Sequence, residues 1–297
     1  MYKLIFSTIL LLLNVEVFGQ SSSSNPPKPV VLITGASQGI GLATAKRLST
    51  QGYTVYAATR DPSNAKDLQV FAANHPSLII KQLDIISPDS IETTVQEILK
   101  EEGRIFALIN NAGFGIFGPV EIHTSDEIQK LFETNLFSVI RLINAVIPSM
   151  RNEKRGRILN LSSIAGVIPS GNIPVYSATK FALEAISASY AKDLSPWNIK
   201  VSLIQPGPVV TNFESSTCYG TRFNEEENPY LDILINRRQH WKEKMQSGQT
   251  PEEIAFVIQK ALEDPNPNLW VQTSQSVIDA IKKHYKDPSG NTRIPLQ

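Results

Sequence analysis

The sequence predicts an α/β fold: a doubly wound parallel sheet in a single domain, with a C-terminal segment covering the substrate site. Three observations carry this expectation. Short apolar runs alternate with longer amphipathic stretches from Val30 onward. The short runs are rich in branched residues and lack alternating polarity, as expected for parallel strands covered on both faces. Three glycines, Gly35, Gly39 and Gly41, separate the first apolar run from the first amphipathic stretch. A β-α-β-α alternation of this kind closes into one parallel sheet through right-handed crossovers.

Strands are predicted over 30–34, 54–58, 78–83, 106–109, 158–161 and 201–204, each a run of apolar residues. Helices are predicted over 40–50 and from Ser87-Pro88-Asp89 to about 102, followed by two long ones over 124–150 and 174–194. After Pro206 the rhythm breaks into a charged stretch, 207–247, that ends in a helix over 228–246. Open α/β sheets bind ligands beyond the carboxyl ends of their strands, so this irregular stretch is expected to cover the substrate. Thr250-Pro251-Glu252-Glu253 restarts the pattern, with Thr as cap, Pro at the first helical position and acids in the first turn. That helix is expected to reach 263, with a last strand over 268–272.

The N-terminus stands apart. Lys3, the apolar run 4–13 and the end Val17-Phe18-Gly19 have the pattern of a secretory signal over 1–19, which implies export. Asn14 and Glu16 interrupt the run short of the roughly 18 residues a membrane span needs. An uncleaved membrane anchor and an arm folded onto the protein are the alternatives. Residues 20–28, with Ser21-Ser22-Ser23-Ser24-Asn25-Pro26-Pro27, are expected to be a flexible linker, and 29–297 the folded domain.

Composition removes several function classes. Lys and Arg together number 28, as do Asp and Glu, so the net charge is zero. No basic excess draws the chain to nucleic acid or an anionic surface. Cys218 is the only cysteine, which excludes an internal disulfide. His75, His123, His240 and His284 are scattered without metal-ligand spacing, and no metal site is predicted.

The chemistry concentrates in a few motifs. Thr34-Gly35-Ala36-Ser37-Gln38-Gly39-Ile40-Gly41 joins the first strand to the first helix. Glycines there permit a tight turn and close backbone approach, while the helix N-terminus presents N–H groups and partial positive charge to a pyrophosphate. Downstream follow Asn110-Asn111-Ala112-Gly113, Ser162-Ser163, Tyr176-x3-Lys180 and Pro206-Gly207, each after a predicted strand or within a helix. A Tyr-x3-Lys pair alone says little, but the five motifs in this order and spacing resemble the short-chain dehydrogenase/reductase family, from about Val30 to Thr211. The resemblance implies a Rossmann-type fold and hydride transfer between a nicotinamide cofactor and an alcohol/carbonyl pair.

It also implies roles. Tyr176 is the expected acid/base, with Lys180 one helical turn later and the positive charge of an oxidised nicotinamide together lowering its pKa from the ordinary value of about 10. Ser163 is expected to hydrogen-bond the substrate oxygen, with Ser162 the neighbouring alternative, and Asn135 to hold a water beside the lysine. Gly35, Ser37, Gly39, Ile40, Gly41, Asn111, Ala112 and Gly113 border the cofactor, with Asn110 a strand-end brace. Asp84 matches the aspartate at the adenine, and Pro206, Val209 and Thr211 match residues at the nicotinamide. The position that selects the cofactor matches neutral Thr59, followed by Arg60, whose guanidinium suits the 2′-phosphate of NADP. Asp61 is the competing candidate, as the ribose acid of an NAD enzyme.

Within the family the chain is most similar to the group of estradiol 17-beta-dehydrogenase and photoreceptor-type retinol dehydrogenases. Phe181-Ala182-Leu183-Glu184 and Pro206-Gly207-Pro208-Val209-Val210-Thr211 carry that likeness. It implies an apolar steroid- or retinoid-like substrate and a homodimer or homotetramer. Phe114, Ile116, Phe117, Val167, Ile168 and Phe213 are the candidate apolar lining. The rivals are an isomerase or dehydratase of the sugar-nucleotide type on the same fold, and a catalytically silent NADP-binding protein.

Overall fold

The computed structural model describes residues 28–285 apart from 212, 214–216, 221 and 223–227. The expected signal or anchor over 1–19 and nearly all of the 20–28 linker lie outside the described residues. Seven parallel strands form the sheet: β1 (Val30–Thr34), β2 (Thr54–Thr59), β3 (Leu78–Gln82), β4 (Ala107–Asn110), β6 (Gly156–Leu161), β7 (Ile199–Gln205) and β9 (Trp270–Gln272). Their order is β3-β2-β1-β4-β6-β7-β9, so the chain reverses its direction of winding between β1 and β4. Alternate residues of β1 explain its unbroken apolar run. Val30 and Leu32 join one core layer and Val31 and Ile33 the other, and all are essentially solvent-free.

Helices α1 (Gly39–Thr50), α2 (Lys66–Ala72) and α8 (Pro251–Glu263) cover one face, contributing Leu48, Leu68, Ile254 and Ile258. Helices α3 (Pro88–Glu102), α5 (Ser138–Asn152) and α6 (Pro174–Asp193) cover the other through Val95, Leu142 and Leu183. Local chemistry sets the boundaries. Ser87 caps α3 with Pro88 at its first position, and Gly103 ends it at φ 75°. Thr250 and Glu253 form a reciprocal capping box at α8, as the sequence predicts.

The long helix expected over 124–150 is three pieces: α4 (Ser125–Phe132), a π-helical turn (Glu133–Phe137) and α5. A wider turn leaves the helical ladder where a side chain must bond elsewhere. Asn135 lies in it, 1% exposed, and bonds the backbone of Phe114 in both directions. The sequence reading also omits α2, the short parallel pair β5 (Ile116–Phe117) and β8 (Cys218–Tyr219), and α9 (Gln275–His284). The helix expected over 228–246 is α7 (Leu231–Gln246).

A buried amide chain ties the sheet to α6. Asn110 Nδ2 donates to Asn160 Oδ1 at 2.8 Å, and Asn160 Nδ2 donates to Ser187 Oγ at 2.8 Å. Asn160 and Ser187 are solvent-free, so each bond replaces water that cannot enter. Asn160→Ala strands the Asn110 amide without an acceptor and is expected to cost about 2–4 kcal/mol, read as a lower urea midpoint with unchanged slope.

Candidate active site

The site is built where β1 and β4 diverge, at the carboxyl ends of the strands. Thr34 Oγ1 accepts from the backbone N–H groups of Asn111 and Ala112, both at 3.1 Å. Asn111 Nδ2 in turn donates to the carbonyls of Thr34 (2.9 Å) and Gly35 (3.0 Å). The two loops are so close that side chains are excluded. A Cβ on Gly35, whose φ is 66°, would lie 2.8 Å from Ala112 Cα, and one on Gly41 would lie 2.3 Å from the Gly35 carbonyl oxygen. Gly39 also has positive φ, and its missing Cβ would sit 3.3 Å from Thr211 Cγ2, which brings the loop after β7 to the same turn. Ser37 and Ile40 lie half-buried on this turn.

Helix α1 starts here without a side-chain cap from Gln38 and without an acid in its first turn. Ser87, Thr250 and Ser274 do cap α3, α8 and α9. The first N–H groups of α1 therefore face the crevice as an anion site needs, and no carboxylate opposes them.

Helix α6 brings Tyr176 and Lys180 to the other side of the crevice, both buried. Ser163 caps the short turn Ile164–Gly166 after β6, accepting from Ala165 N at 3.1 Å, and its side chain stands next to the Tyr176 phenol, whose pKa it lowers. Ser162 points elsewhere, its hydroxyl donating to Glu184.

The expected lowering of the Tyr176 pKa needs Lys180 together with the positive charge of an oxidised nicotinamide. Burial pushes the phenol up to about 12, opposed in part by the Ser163 hydrogen bond. The Lys180 ammonium donates to the Leu161 carbonyl at 2.6 Å and lies 5.6 Å from the Tyr176 ring centre, so a backbone oxygen takes its nearest charge-assisted bond. Burial lowers Lys180 itself to about 8, with the Glu184 carboxylate opposing. Asn135 does not bond Lys180. Its Nδ2 donates to Phe114 O at 2.9 Å and to Thr179 Oγ1 at 3.3 Å, bracing the loop after β4 against α6 one residue before the lysine. Asn110, by contrast, bonds inward to Asn160, the brace expected of it.

The other predicted polar and loop residues lie after β2, β3, β4 and β7. Gly113 is exposed, close to Asn135, whose Oδ1 would stand 3.0 Å from a Cβ there. Arg60 is exposed at the end of β2, whereas the Asp61 carboxylate caps the turn Pro62–Asn64, accepting from Ser63 N at 3.0 Å and Ser63 Oγ at 2.6 Å. Asp84 follows β3 and accepts from Ile86 N at 3.2 Å. Pro206 and Val209 are buried, and Val209 pairs with Gln249, which clamps the loop carrying Thr211. Of the apolar candidates, Ile116, Phe114 and Phe213 gather around Tyr176, the Phe213 ring meeting it edge-on at 5.7 Å. Phe117 packs instead with Ile122, Leu234 and Trp241, because β5 alternates its two side chains across opposite faces. Val167 is buried and Ile168 half-buried, and neither is part of that cluster.

Residues 29–218 match the sequence profile of the short chain dehydrogenase family. The chain belongs to that family. It is 36% identical over 238 residues to a 3-ketodihydrosphingosine reductase of Bacteroides thetaiotaomicron, covering 80% of this chain and 85% of the relative. It is 35% identical over 274 residues to bovine (Bos taurus) retinol dehydrogenase 8, covering 89% and 87%. With 17-beta-hydroxysteroid dehydrogenase type 1 of Homo sapiens it shares 33% over 283 residues, covering 90% and 84%. Among solved structures, a metagenomic short-chain oxidoreductase in complex with NADP superposes with a TM-score of 0.65 at 27% identity, covering 82% and 96%. A Burkholderia phymatum family member in complex with NAD superposes with a TM-score of 0.79 at 20% identity, covering 91% and 97%. The short-chain dehydrogenase assignment makes this chain an oxidoreductase that uses a nicotinamide cofactor, and the closely packed glycine turn before an uncapped helix fits such a group.

Thr179 escaped the motif reading, and Thr34 and Glu184 entered it only as members of the glycine turn and of the run Phe181-Ala182-Leu183-Glu184, with no role of their own. Gly41→Ala must displace either the Gly35 carbonyl or the Asn111 amide. It is expected to weaken NADPH binding at least about tenfold, measured by calorimetry, and to cost about 1–3 kcal/mol in stability.

Proposed function

We propose that this short-chain dehydrogenase is an NADP-preferring enzyme that interconverts an apolar alcohol and its carbonyl, with Tyr176 as acid/base. One observation carries the reading: Tyr176 and Lys180 are buried side by side on α6 with Ser163 next to the phenol, in an apolar cluster at the mouth of the crevice. The bound nicotinamide supplies or accepts the hydride at the carbon. The chain's own residues handle the oxygen. Tyr176, held protonated by burial, donates its phenolic proton to the carbonyl oxygen on reduction. Ser163 hydrogen-bonds the same oxygen and stabilises the negative charge developing there. The Lys180 ammonium favours the phenolate that remains, and Phe114, Ile116 and Phe213 keep water from the reacting atoms.

The apolar surroundings of Tyr176 support a lipid-like substrate, and so do the names of the relatives, which act on a retinoid, a steroid and a ketosphingoid base. The NADP preference is supported by the division of labour after β2. Asp61 uses its carboxylate to cap the following turn, while the Arg60 side chain is exposed at the strand end. A guanidinium there suits the 2′-phosphate.

The test is a carbonyl panel containing all-trans-retinal, a 17-ketosteroid and a 3-ketosphingoid base, with NADPH and NADH, followed at 340 nm. Turnover of one panel member with NADPH is expected, and none with any would sink the reading. Tyr176→Phe is expected to lower turnover at least about 100-fold while leaving NADPH affinity nearly unchanged. Reduction is expected to fall as the pH rises through about 8, where Lys180 loses its proton. Arg60→Ala is expected to weaken NADPH roughly 10- to 150-fold and NADH little, measured as dissociation constants. Equal weakening of both would make Arg60 a surface residue.

A further inference from the structure

Glu184 lies one turn beyond Lys180 on α6, and the chemistry above gives it no part. Its carboxylate collects donors from the ends of three strands. The Ser162 hydroxyl donates from the end of β6, Gln205 Nε2 from β7 at 3.0 Å, and Trp270 Nε1 from β9 at 2.9 Å. An indole N–H can only donate. The Gln205 amide has its nitrogen toward Glu184 because its own Oε1 accepts from Gln272 Nε2 at 2.6 Å. Convergent donors of this kind match an ionised carboxylate, which accepts at both oxygens and donates at neither. Burial pushes the Glu184 carboxyl up, and these donors together with Lys180 pull it back.

The arrangement is tight around the lysine. A Cβ at Gly166 would lie 2.9 Å from Ser162 Oγ and 3.1 Å from Lys180 Cβ, so the turn after β6 rests directly on the lysine stem. Facing Lys180 are the Tyr176 ring and Glu184 from its own helix and the Leu161 carbonyl from β6. Among the described residues, Glu184 is the charged group whose field acts on the ammonium.

We propose that Glu184 is a positioning residue of this site. Its carboxylate supplies the counter-charge to the Lys180 ammonium and, through Ser162, Gln205 and Trp270, fixes the strand ends that carry Ser163 and Pro206. It deepens the reading of Lys180 and Tyr176 given above and rests on it for its consequence in turnover. One of the three strands, β9, lies beyond residues 29–218, and it sends the Trp270 side chain to Glu184 and the Gln272 side chain to Gln205.

The test titrates Lys180 directly, in the full protein without substrate or cofactor. Lysine labelled with 13C at Cε is followed by NMR, and the Lys180 resonance is assigned by its loss in Lys180→Met. The wild-type midpoint is expected near 8. Glu184→Gln keeps the shape and removes the charge, and is expected to lower the midpoint by about half to one pH unit, the scale of one partly buried charge pair. Glu184→Asp keeps the charge and is expected to restore most of the shift, which a merely structural role would not do. The loss of reduction at high pH is expected to begin lower in Glu184→Gln by the same interval. Midpoints for Glu184→Gln and wild type within about 0.2 unit, well under the effect of a charge pair, overturn the proposal. Should Glu184→Gln not fold, Glu184→Met, which removes the charge and keeps the bulk, takes its place, and a Lys180 midpoint unchanged from wild type overturns the proposal. Full turnover in Tyr176→Phe beside a shifted Lys180 midpoint would sink the catalytic reading and leave the pairing intact.

Discussion

Where the sheet reverses its winding, Thr34 and Asn111 lock the ends of β1 and β4 together through four hydrogen bonds that share two side chains. Parallel strands diverge beyond their last ladder bond, and their final carbonyls and N–H groups need partners there. A hydroxyl that accepts twice and an amide that donates twice satisfy them without bulk. The spacing this fixes is what forbids a Cβ at Gly35 and Gly41 and sets the pitch at which α1 leaves the sheet. The crevice, its anion-facing helix end and the placing of Gly113 near Asn135 all depend on it.

The opposite wall rests on a different principle. Helix α6 carries a phenol and an ammonium into an environment poor in water, where neither group keeps its ordinary titration. Such a pair is costly to bury unless each group is bonded. The phenol finds Ser163, the ammonium finds the Leu161 carbonyl, and Glu184 answers the charge from one turn away. Further along the same helix, Ser187 accepts from Asn160 and so holds α6 to the centre of the sheet. Chemistry and stability are therefore carried by successive turns of one helix.

The third wall is the loop after β7. It is held by the bridge from Val209 to Gln249 and by the backbone bonds between Pro208, Gln249 and Val210, so the chain beyond the irregular segment returns to fix the crevice. A Cβ at Gly248 would fall 2.2 Å from the Pro208 carbonyl oxygen, which makes this return as close as the glycine turn at β1. The segment that the charge pattern marked as a break is thus bounded on both sides by tight packing.

The strand positions, the glycine turn and the helix that carries Tyr176 and Lys180 were legible in the sequence, because each is fixed by local requirements. Buried parallel strands must be apolar on both faces, a turn that touches its neighbour must lack Cβ, and residues four apart on a helix share a face. Boundaries fell within a few residues for the same reason, as at Ser87, Gly103 and Thr250. What only the tertiary structure decided are the matters that depend on distant partners. Sequence spacing could not say that Asn135 would leave the helical ladder to bond Phe114, or that Ser162 would turn away from Tyr176 toward Glu184. It also could not say that burial would dominate at the Tyr176 phenol, or that the Lys180 ammonium would be directed by a carbonyl 19 residues earlier. Local propensity and periodicity are written in neighbouring residues, whereas a titration and a hydrogen-bond partner belong to the space that the whole fold encloses.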